Sequence, residues 1–97
     1  MALPNSGWSN VTGTSNKNCN CGTWQKHWIK FAKKTWPSSC SVVGCTGKPT
    51  LGAHIKNSDV TGVRIAPFCN SCNGLSGMLT LKVGVSLPSA TATSECG

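Results

Sequence analysis

Two short-spaced pairs of cysteines are the residues of this chain whose type and spacing most clearly indicate chemistry. Four residues separate Cys40 from Cys45, and two residues separate Cys69 from Cys72. A tetrahedral zinc ion needs four ligands converging at about 2.0 to 2.3 Å, and each short spacing lets one tight turn supply two of them. A helix that begins at the second pair would direct backbone N–H groups at the thiolates and lower their pKa. The spacing therefore predicts a structural zinc site formed by all four cysteines.

Disulfides are the alternative use of these cysteines. A bridge within Cys-x-x-Cys is strained and redox-active, so structural disulfides would have to cross between the two pairs. The N-terminal sequence MALPNSGWSN lacks the basic and apolar regions of a secretory signal peptide, and no apolar run is long enough for a membrane span. We therefore expect zinc and a cytoplasmic location, whereas a mature secreted fragment would favour disulfides.

Three further cysteines and two histidines leave alternatives open. One residue separates Cys19 from Cys21, a spacing that points two extended side chains the same way and suits a metal or a redox pair. Alternate ligands of the zinc site, or ligands of a second divalent cation, are therefore Cys19, Cys21, His27 and His54. The two closely spaced thiols are otherwise interpreted as small buried hydrophobic residues. The total of seven cysteines is odd, so one thiol stays outside any set of intramolecular disulfides, and the sequence gives no role for Cys96.

The segment TWQKHWIKFAKKTW, residues 23–36, has the clearest helical periodicity in the chain. Its large aromatic residues recur at the spacing of one helical face, with Thr23 as a suitable N-cap and Pro37 as the stop. The opposite face carries four lysines, Lys26, Lys30, Lys33 and Lys34. No acidic residue precedes Asp59, so ion pairs within the helix cannot absorb this charge. The pattern favours contact with phosphates over a merely solvated lysine face.

The overall charge indicates the kind of partner. Nine lysines and arginines stand against two acidic residues, which gives a net charge of +7. Such a chain attracts polyanions, with nucleic acid as the first candidate and an anionic membrane surface as another. The predicted nucleic-acid-binding surface consists of the helix lysines together with Lys48, Lys56 and Arg64. We expect DNA binding through phosphates, with weak sequence preference and a steep dependence on salt.

The rest of the chain predicts a single small domain. Residues 1–18 are rich in Ser, Asn, Thr and Gly and are predicted to form a flexible arm unless Trp8 docks on the domain. The zinc-binding domain is expected over residues 19–87, and residues 88–97 are expected to form a tail.

Inside this domain, turn signals separate short elements. LGAHI at residues 51–55 and VTGVRIAPF at residues 60–68 are predicted to be the strands of a hairpin. Residues 69–81 are predicted to form a short helix, and LKVGVSL at residues 81–87 is either a final strand or the end of that helix.

The motifs C-x4-C, A-H-I and F-C-x-x-C-N, taken in this order, resemble the treble-clef zinc finger of the HNH endonuclease superfamily over about residues 40–80. The resemblance implies an α+β fold in which zinc joins a turn and the start of a helix around a hairpin. It also implies that the two cysteine pairs are the zinc ligands, that His54 is a general base, and that Asn73 helps to hold a catalytic divalent cation. Ala53 and Arg64 stand where that family has metal-binding and central asparagine residues, and Asn73 replaces a histidine.

A narrower resemblance covers residues 19–74. The sequence of motifs C-x-C, G-x-W-x-x-H-W, C-x4-C, G-A-H-I and I-x-P-x-C-x-x-C-N is similar to small uncharacterised proteins with Cys/His-rich cores. It implies no activity, and it implies that six residues belong to one working unit: Cys19, Cys21, Trp24, His27, Trp28 and His54.

The sequence thus predicts a small zinc-stabilised α+β treble clef with an additional N-terminal helix packed on it. The predicted function is nucleic-acid binding, extended to a divergent metal-dependent nuclease if His54 is a general base. His54 is otherwise a zinc ligand or a structural residue on the hairpin. Two rival functions remain: a secreted, disulfide-stapled cationic effector or toxin, and a protein-interaction module in which zinc only holds the fold.

Overall fold

The structure, a computed structural model, describes residues 4–11, 24–75 and 77–89. The elements in chain order are β1 (Trp8–Asn10), α1 (Trp24–Ala32), β2 (Leu51–Asn57), β3 (Val60–Phe68) and α2 (Asn70–Asn73). The strands form one antiparallel sheet in the order β1-β2-β3. The α+β class predicted from the sequence is therefore confirmed.

The hairpin of β2 and β3 forms where the strand-like residues predicted it. Asn57 starts the turn, and its side-chain Oδ1 accepts a hydrogen bond from the backbone N–H of Asp59 at 2.9 Å. The amide nitrogen of the same side chain donates to the carbonyl of Ser6 at 2.8 Å. One asparagine thus shapes the turn and ties it to the N-terminal segment.

Strand alternation gives the sheet two differently covered faces. The pairing sets His54 opposite Ile65 and Ala53 opposite Ala66. We call the side that contacts α1 the helix face; it includes Gly52, His54, Val63 and Ile65. We call the other side the cysteine face, because Ala53, Ile55, Ala66 and Phe68 pack there with Cys40, Cys69 and Cys72.

Helix α1 covers the helix face with its aromatic side and ends earlier than predicted. His27 and Trp28 are buried, whereas Lys33 adopts a left-handed φ of 57° and ends the helix. The chain then turns back, so that Trp36 packs edge-on against Trp28 with ring centroids 5.6 Å apart. The Trp36 indole N–H donates to the carbonyl of Pro49 at 3.0 Å. Trp36 therefore packs with Trp28 although it lies outside the helix.

The cysteine face is closed by segments at both ends of the described chain. Trp8 is fully buried there, and it exchanges backbone hydrogen bonds with Leu79 at 3.2 and 2.6 Å. Residues 4–11 belong to the segment that was expected to be a flexible arm unless Trp8 docks. In the structure Trp8 is docked, and these residues contribute strand β1. The apolar cluster on this face consists of Trp8, Cys40, Ala53, Ile55, Ala66, Phe68, Cys69, Cys72, Leu79, Leu81 and Leu87.

The chain after β3 differs from the predicted helix. Helix α2 spans only Asn70–Asn73, where a helix over residues 69–81 was expected. Gly77 has a left-handed φ of 93°, and Leu79 and Leu81 instead form bridges to Trp8 and Val42. Burial of these two leucines in the cysteine face thus prevails over continuation of the helix.

Candidate metal centre

The four cysteines of the two predicted pairs lie together in the structure. Their Sγ atoms all lie within 4.8 Å of one another, and those of Cys45 and Cys69 are 3.7 Å apart. Four sulfurs bound at about 2.3 Å to one tetrahedral ion would be separated by about 3.8 Å. All four are free thiols. The cluster of Cys40, Cys45, Cys69 and Cys72 could therefore hold a metal ion, as the spacing predicted.

A tight turn presents the first pair. The backbone N–H of Cys40 donates to the carbonyl of Gly47 at 2.8 Å, and that of Cys45 donates to Val42 at 3.0 Å. Gly44 has a left-handed φ of 83°, which glycine adopts without steric cost. A Cβ on Gly47 would lie 3.4 Å from the Cys69 sulfur. The knuckle, as we call residues 40–47, thus uses glycine where its backbone approaches the cluster.

The second pair lies at the start of α2. Cys69 is the N-cap residue, and its sulfur accepts a hydrogen bond from the backbone N–H of Cys72 at 3.5 Å. The backbone N–H of Cys69 in turn donates to the sulfur of Cys40 at 3.4 Å. Backbone donors therefore already point at sulfur atoms, an arrangement that stabilises thiolates over thiols.

These surroundings shift the pKa values of the thiols in opposite directions. The pKa of Cys69 is lowered to about 7, mainly because the backbone N–H of Cys72 donates to its sulfur. Burial raises the pKa values of Cys40 and Cys72. At neutral pH the buried thiols would keep their protons unless a cation replaced them, and a bound divalent ion supplies that charge. An all-sulfur donor set suits soft or borderline metals rather than Mg²⁺ or Ca²⁺.

His54, the predicted general base, lies on the helix face. Its side chain is 6 % exposed, and its ring packs edge-on against Trp24 with the centroids 4.3 Å apart. Asn73 is exposed at the end of α2, the helix that packs on the cysteine face through Cys72. The structure therefore places these two predicted catalytic residues on opposite sides of the sheet.

His27, an alternate ligand, is fully buried in α1. Its Nε2 donates a hydrogen bond to the carbonyl of Ser89 at 2.8 Å, because a carbonyl oxygen can only accept. Its ring lies 5.1 Å from that of Trp24 and 4.6 Å from that of Phe31, measured between centroids. The remaining predicted candidates, Cys19 and Cys21, lie outside the described residues, as does Cys96, for which the sequence gave no role.

The predicted phosphate-binding residues fall into two groups. Six lysines, Lys26, Lys30, Lys33, Lys34, Lys48 and Lys56, are exposed. Of these, Lys26 and Lys30 belong to the outer side of α1, and Lys33 and Lys34 follow its last residue. Arg64 differs, because it is half-buried and its Nη1 donates to the carbonyl of Leu87 at 3.1 Å. Its guanidinium group thus ties β3 to the C-terminal segment.

Lys82 is a residue near the metal centre that the sequence did not indicate. Its ammonium group donates to the backbone carbonyl of Cys45 at 2.9 Å and to the Ser39 hydroxyl at 3.4 Å. It supplies no ligand atom, so ligand spacing carries no signal for it. Its place next to the knuckle arises from the path of the chain after α2.

Comparisons with known proteins give no information on the function of this chain. No protein-family model matches this chain, and no curated protein or solved structure matches it significantly. Within the described ranges, no helix has the length and apolar character needed to cross a bilayer. The function is therefore argued from geometry and charge.

Proposed function

We propose that this protein is a zinc-stabilised domain that binds nucleic acid through its backbone phosphates. The observation that carries the proposal is the convergence of four cysteine Sγ atoms to within 4.8 Å of one another. Zinc would fill this cluster as a closed, four-coordinate structural site. With four sulfur ligands the ion keeps no open position for substrate, so its role is to hold the fold.

The order of elements supports a treble-clef arrangement. The knuckle supplies Cys40 and Cys45, the β2–β3 hairpin follows, and Cys69 caps the short helix that carries Cys72. This is the order that the resemblance to the HNH superfamily implies. Zinc would then join two segments that are separated by the hairpin in sequence, which stabilises the folded chain over the unfolded one.

The charge of the exposed surface supports a polyanionic partner. Of the acidic residues, only Asp59 lies within the described ranges, so carboxylates do little there to neutralise the six exposed lysines. Lysine contacts to phosphate release counterions from nucleic acid, which makes the affinity strong at low salt and independent of base sequence.

The aromatic residues favour duplex over single-stranded nucleic acid. Proteins that bind single strands stack exposed bases on exposed aromatic rings. All six aromatic residues of this chain lie within the described ranges: Trp8, Trp28 and Phe68 are buried, and Trp24, Phe31 and Trp36 are half-buried. A surface of lysines without a stacking platform responds mainly to charge density, which is higher along a duplex.

We propose binding without cleavage. A general base must come within hydrogen-bond reach of the proton that it removes, whereas the His54 ring lies against Trp24 and is almost completely buried. Plasmid incubated with the zinc-loaded protein and Mg²⁺ or Mn²⁺ tests this point. Cleavage by the wild type that is lost in His54→Ala would establish the divergent nuclease instead.

Metal analysis of the native protein, combined with thiol titration, tests the zinc site. We expect one zinc ion per chain and four thiols that become reactive when a chelator removes it. A protein with no metal and with oxidised cysteines would overturn the proposal and support the secreted, disulfide-stapled effector.

Fluorescence anisotropy with a labelled duplex and with one of its strands tests the nucleic-acid surface. Duplex should bind more tightly than single strand. The double variant Lys26→Gln/Lys30→Gln should bind duplex more weakly and reduce the slope of log affinity against log salt by about 1.8, or about 0.9 per phosphate contact. The control Asp59→Asn raises the net charge and should strengthen binding slightly. An unchanged salt slope in the double variant would show that α1 is only solvated.

A further inference from the structure

The segment after α2 connects the sheet to the metal centre. At residue 79 it pairs with Trp8 of β1, and at residue 81 it forms a bridge to Val42 in the knuckle. Two more backbone hydrogen bonds extend this contact: the N–H of Val43 donates to Thr80 at 2.9 Å, and the N–H of Lys82 donates to Ser41 at 2.8 Å. Residues 79–82, which we call the clasp, therefore hold the knuckle against the sheet.

The last residue of the clasp brings a positive charge to a ligand cysteine. The Lys82 ammonium is hydrogen-bonded to the carbonyl of Cys45 at 2.9 Å and to the hydroxyl of Ser39 at 3.4 Å. Among the described residues, no other lysine or arginine forms a hydrogen bond with one of the four cysteines. Lys82 is half-buried, whereas Lys48, the lysine nearest in sequence to the Cys40 and Cys45 pair, is exposed.

The proposed metal site has a charge that needs compensation. Four thiolates around a divalent ion carry a net charge of −2, and three of the four cysteines are buried. Two backbone N–H groups reach sulfur atoms within the cluster, but they bring only dipoles. A charge held close to a partly buried anionic group interacts with it more strongly than an exposed charge does, because solvent screens it less.

We propose that Lys82 is a positioning residue for the metal: its ammonium group fixes the Cys45 end of the knuckle and offsets the negative charge of the four thiolates. This inference rests on the proposed zinc site. Lys82 contributes no ligand atom, so it affects the affinity for the ion and the rate at which the ion is released. It also makes metal retention depend on the clasp, a segment distant in sequence from the first cysteine pair.

Zinc release to a coloured chelator tests the proposal with the full chain. The variant Lys82→Met keeps an unbranched side chain and loses both the charge and the donors. We expect it to release zinc about tenfold faster than the wild type, because removing groups that support metal ligands typically lowers metal affinity by about tenfold or more. The matched control Lys48→Met removes the same charge from an exposed position and should release zinc at the wild-type rate.

Two further variants separate the effect of the Lys82 charge from the effect of its hydrogen bond to Cys45. Lys82→Arg keeps the charge and should release zinc more slowly than Lys82→Met. Lys82→Gln keeps a donor for the Cys45 carbonyl without the charge and should lie between the wild type and Lys82→Met. Each variant is loaded with Co²⁺ as well, because unchanged visible absorption bands show that the tetrahedral sulfur geometry persists. If Lys82→Met fails to fold at saturating zinc, the release rate of Lys82→Gln decides the test.

The outcomes separate this inference from the function on which it rests. Zinc release at the wild-type rate by both Lys82→Met and Lys82→Gln, or by Lys82→Gln where Lys82→Met does not fold, would overturn the role of Lys82. Equal acceleration by Lys48→Met would overturn it too, since net charge would then suffice. A wild-type protein that binds neither zinc nor Co²⁺ would instead overturn the proposed metal site.

Discussion

The helix face and the cysteine face of the sheet are covered in different ways. On the helix face, a nine-residue helix with its own backbone hydrogen bonds packs through aromatic rings and histidines. On the cysteine face, the knuckle, the four-residue α2 and the clasp are all too short to form regular structure alone. Side-chain packing and a regular helix cover one face, whereas the other brings together short segments at a cluster of four cysteines that could hold a metal ion.

Hydrogen bonds to sulfur distinguish the cysteine face, although a side-chain amide also binds backbone there, since Asn10 donates to the carbonyl of Cys72 at 3.0 Å. On the helix face, the indole of Trp28 donates to Ser86 at 2.8 Å and His27 donates to Ser89 at 2.8 Å. These bonds join α1 directly to the C-terminal segment. On the cysteine face, sulfur atoms accept backbone N–H groups at 3.4 and 3.5 Å, which are weaker bonds that strengthen when sulfur is ionised. Metal removal should therefore affect the cysteine face far more than the helix face.

Chelation of the metal should have the largest effect. Structural zinc binds with an apparent free energy of about 10 to 16 kcal/mol in zinc-finger peptides, so a strong chelator should disorder the cysteine face. Amide hydrogen exchange followed by mass spectrometry measures this, with loss of protection expected at residues 40–47, 69–75 and 77–82 before α1. Loss of protection in α1 first, or in neither region, would contradict the proposed difference between the faces.

Acidification should have the second largest effect, because it should release the metal. Protons compete with the ion for the thiolates, so affinity must fall as pH falls. Cys40 and Cys72 have raised pKa values and regain protons readily, whereas Cys69, with its pKa lowered to about 7, is the last of these three to do so. Competition with a metal indicator at several pH values checks this. Affinity that stays constant between pH 8 and pH 5 would exclude thiolate ligands.

Truncation of Trp28 should destabilise the helix face without affecting metal stoichiometry. Its side chain is buried, and replacing a buried tryptophan with alanine costs about 3 to 5 kcal/mol. Denaturant unfolding of Trp28→Ala in the presence of zinc measures the loss. The control Ile29→Ala, at a partly exposed position of the same helix, should cost much less. Loss of bound zinc from folded Trp28→Ala would show that the two faces are coupled.

A methyl group added at Gly52 should have the smallest of these effects. A Cβ there would lie 2.8 Å from the backbone carbonyl of Trp24, so α1 would have to shift away from β2. We expect Gly52→Ala to lower the free energy of unfolding by about 1 to 3 kcal/mol, measured by thermal unfolding. Gly74→Ala is the control, because its nearest contacts are at 3.7 Å. Equal stability of both variants would show that the contact between α1 and β2 is not close.

The sequence predicted features that depend on neighbouring residues. The cysteine pairs were recognisable because their short spacing suits chelation from one turn, and the hairpin was recognisable because β-branched residues lie between turn signals. The docking of Trp8, the early end of α2 and the position of Lys82 depend on contacts between distant segments. The sequence allowed three roles for His54. Its contact with Trp24, which only the structure shows, places it beneath α1.

The amide side chain of Asn57 makes the junction between the N-terminal segment and the hairpin turn depend on one donor nitrogen. It is almost fully buried, and it donates to Ser6 while accepting from Asp59. Deamidation would replace its donor nitrogen with a carboxylate oxygen, which would face the Ser6 carbonyl without a proton between them. Slow hydrolysis of one amide during storage would therefore loosen the N-terminal strand from the hairpin turn while leaving the cysteines chemically intact.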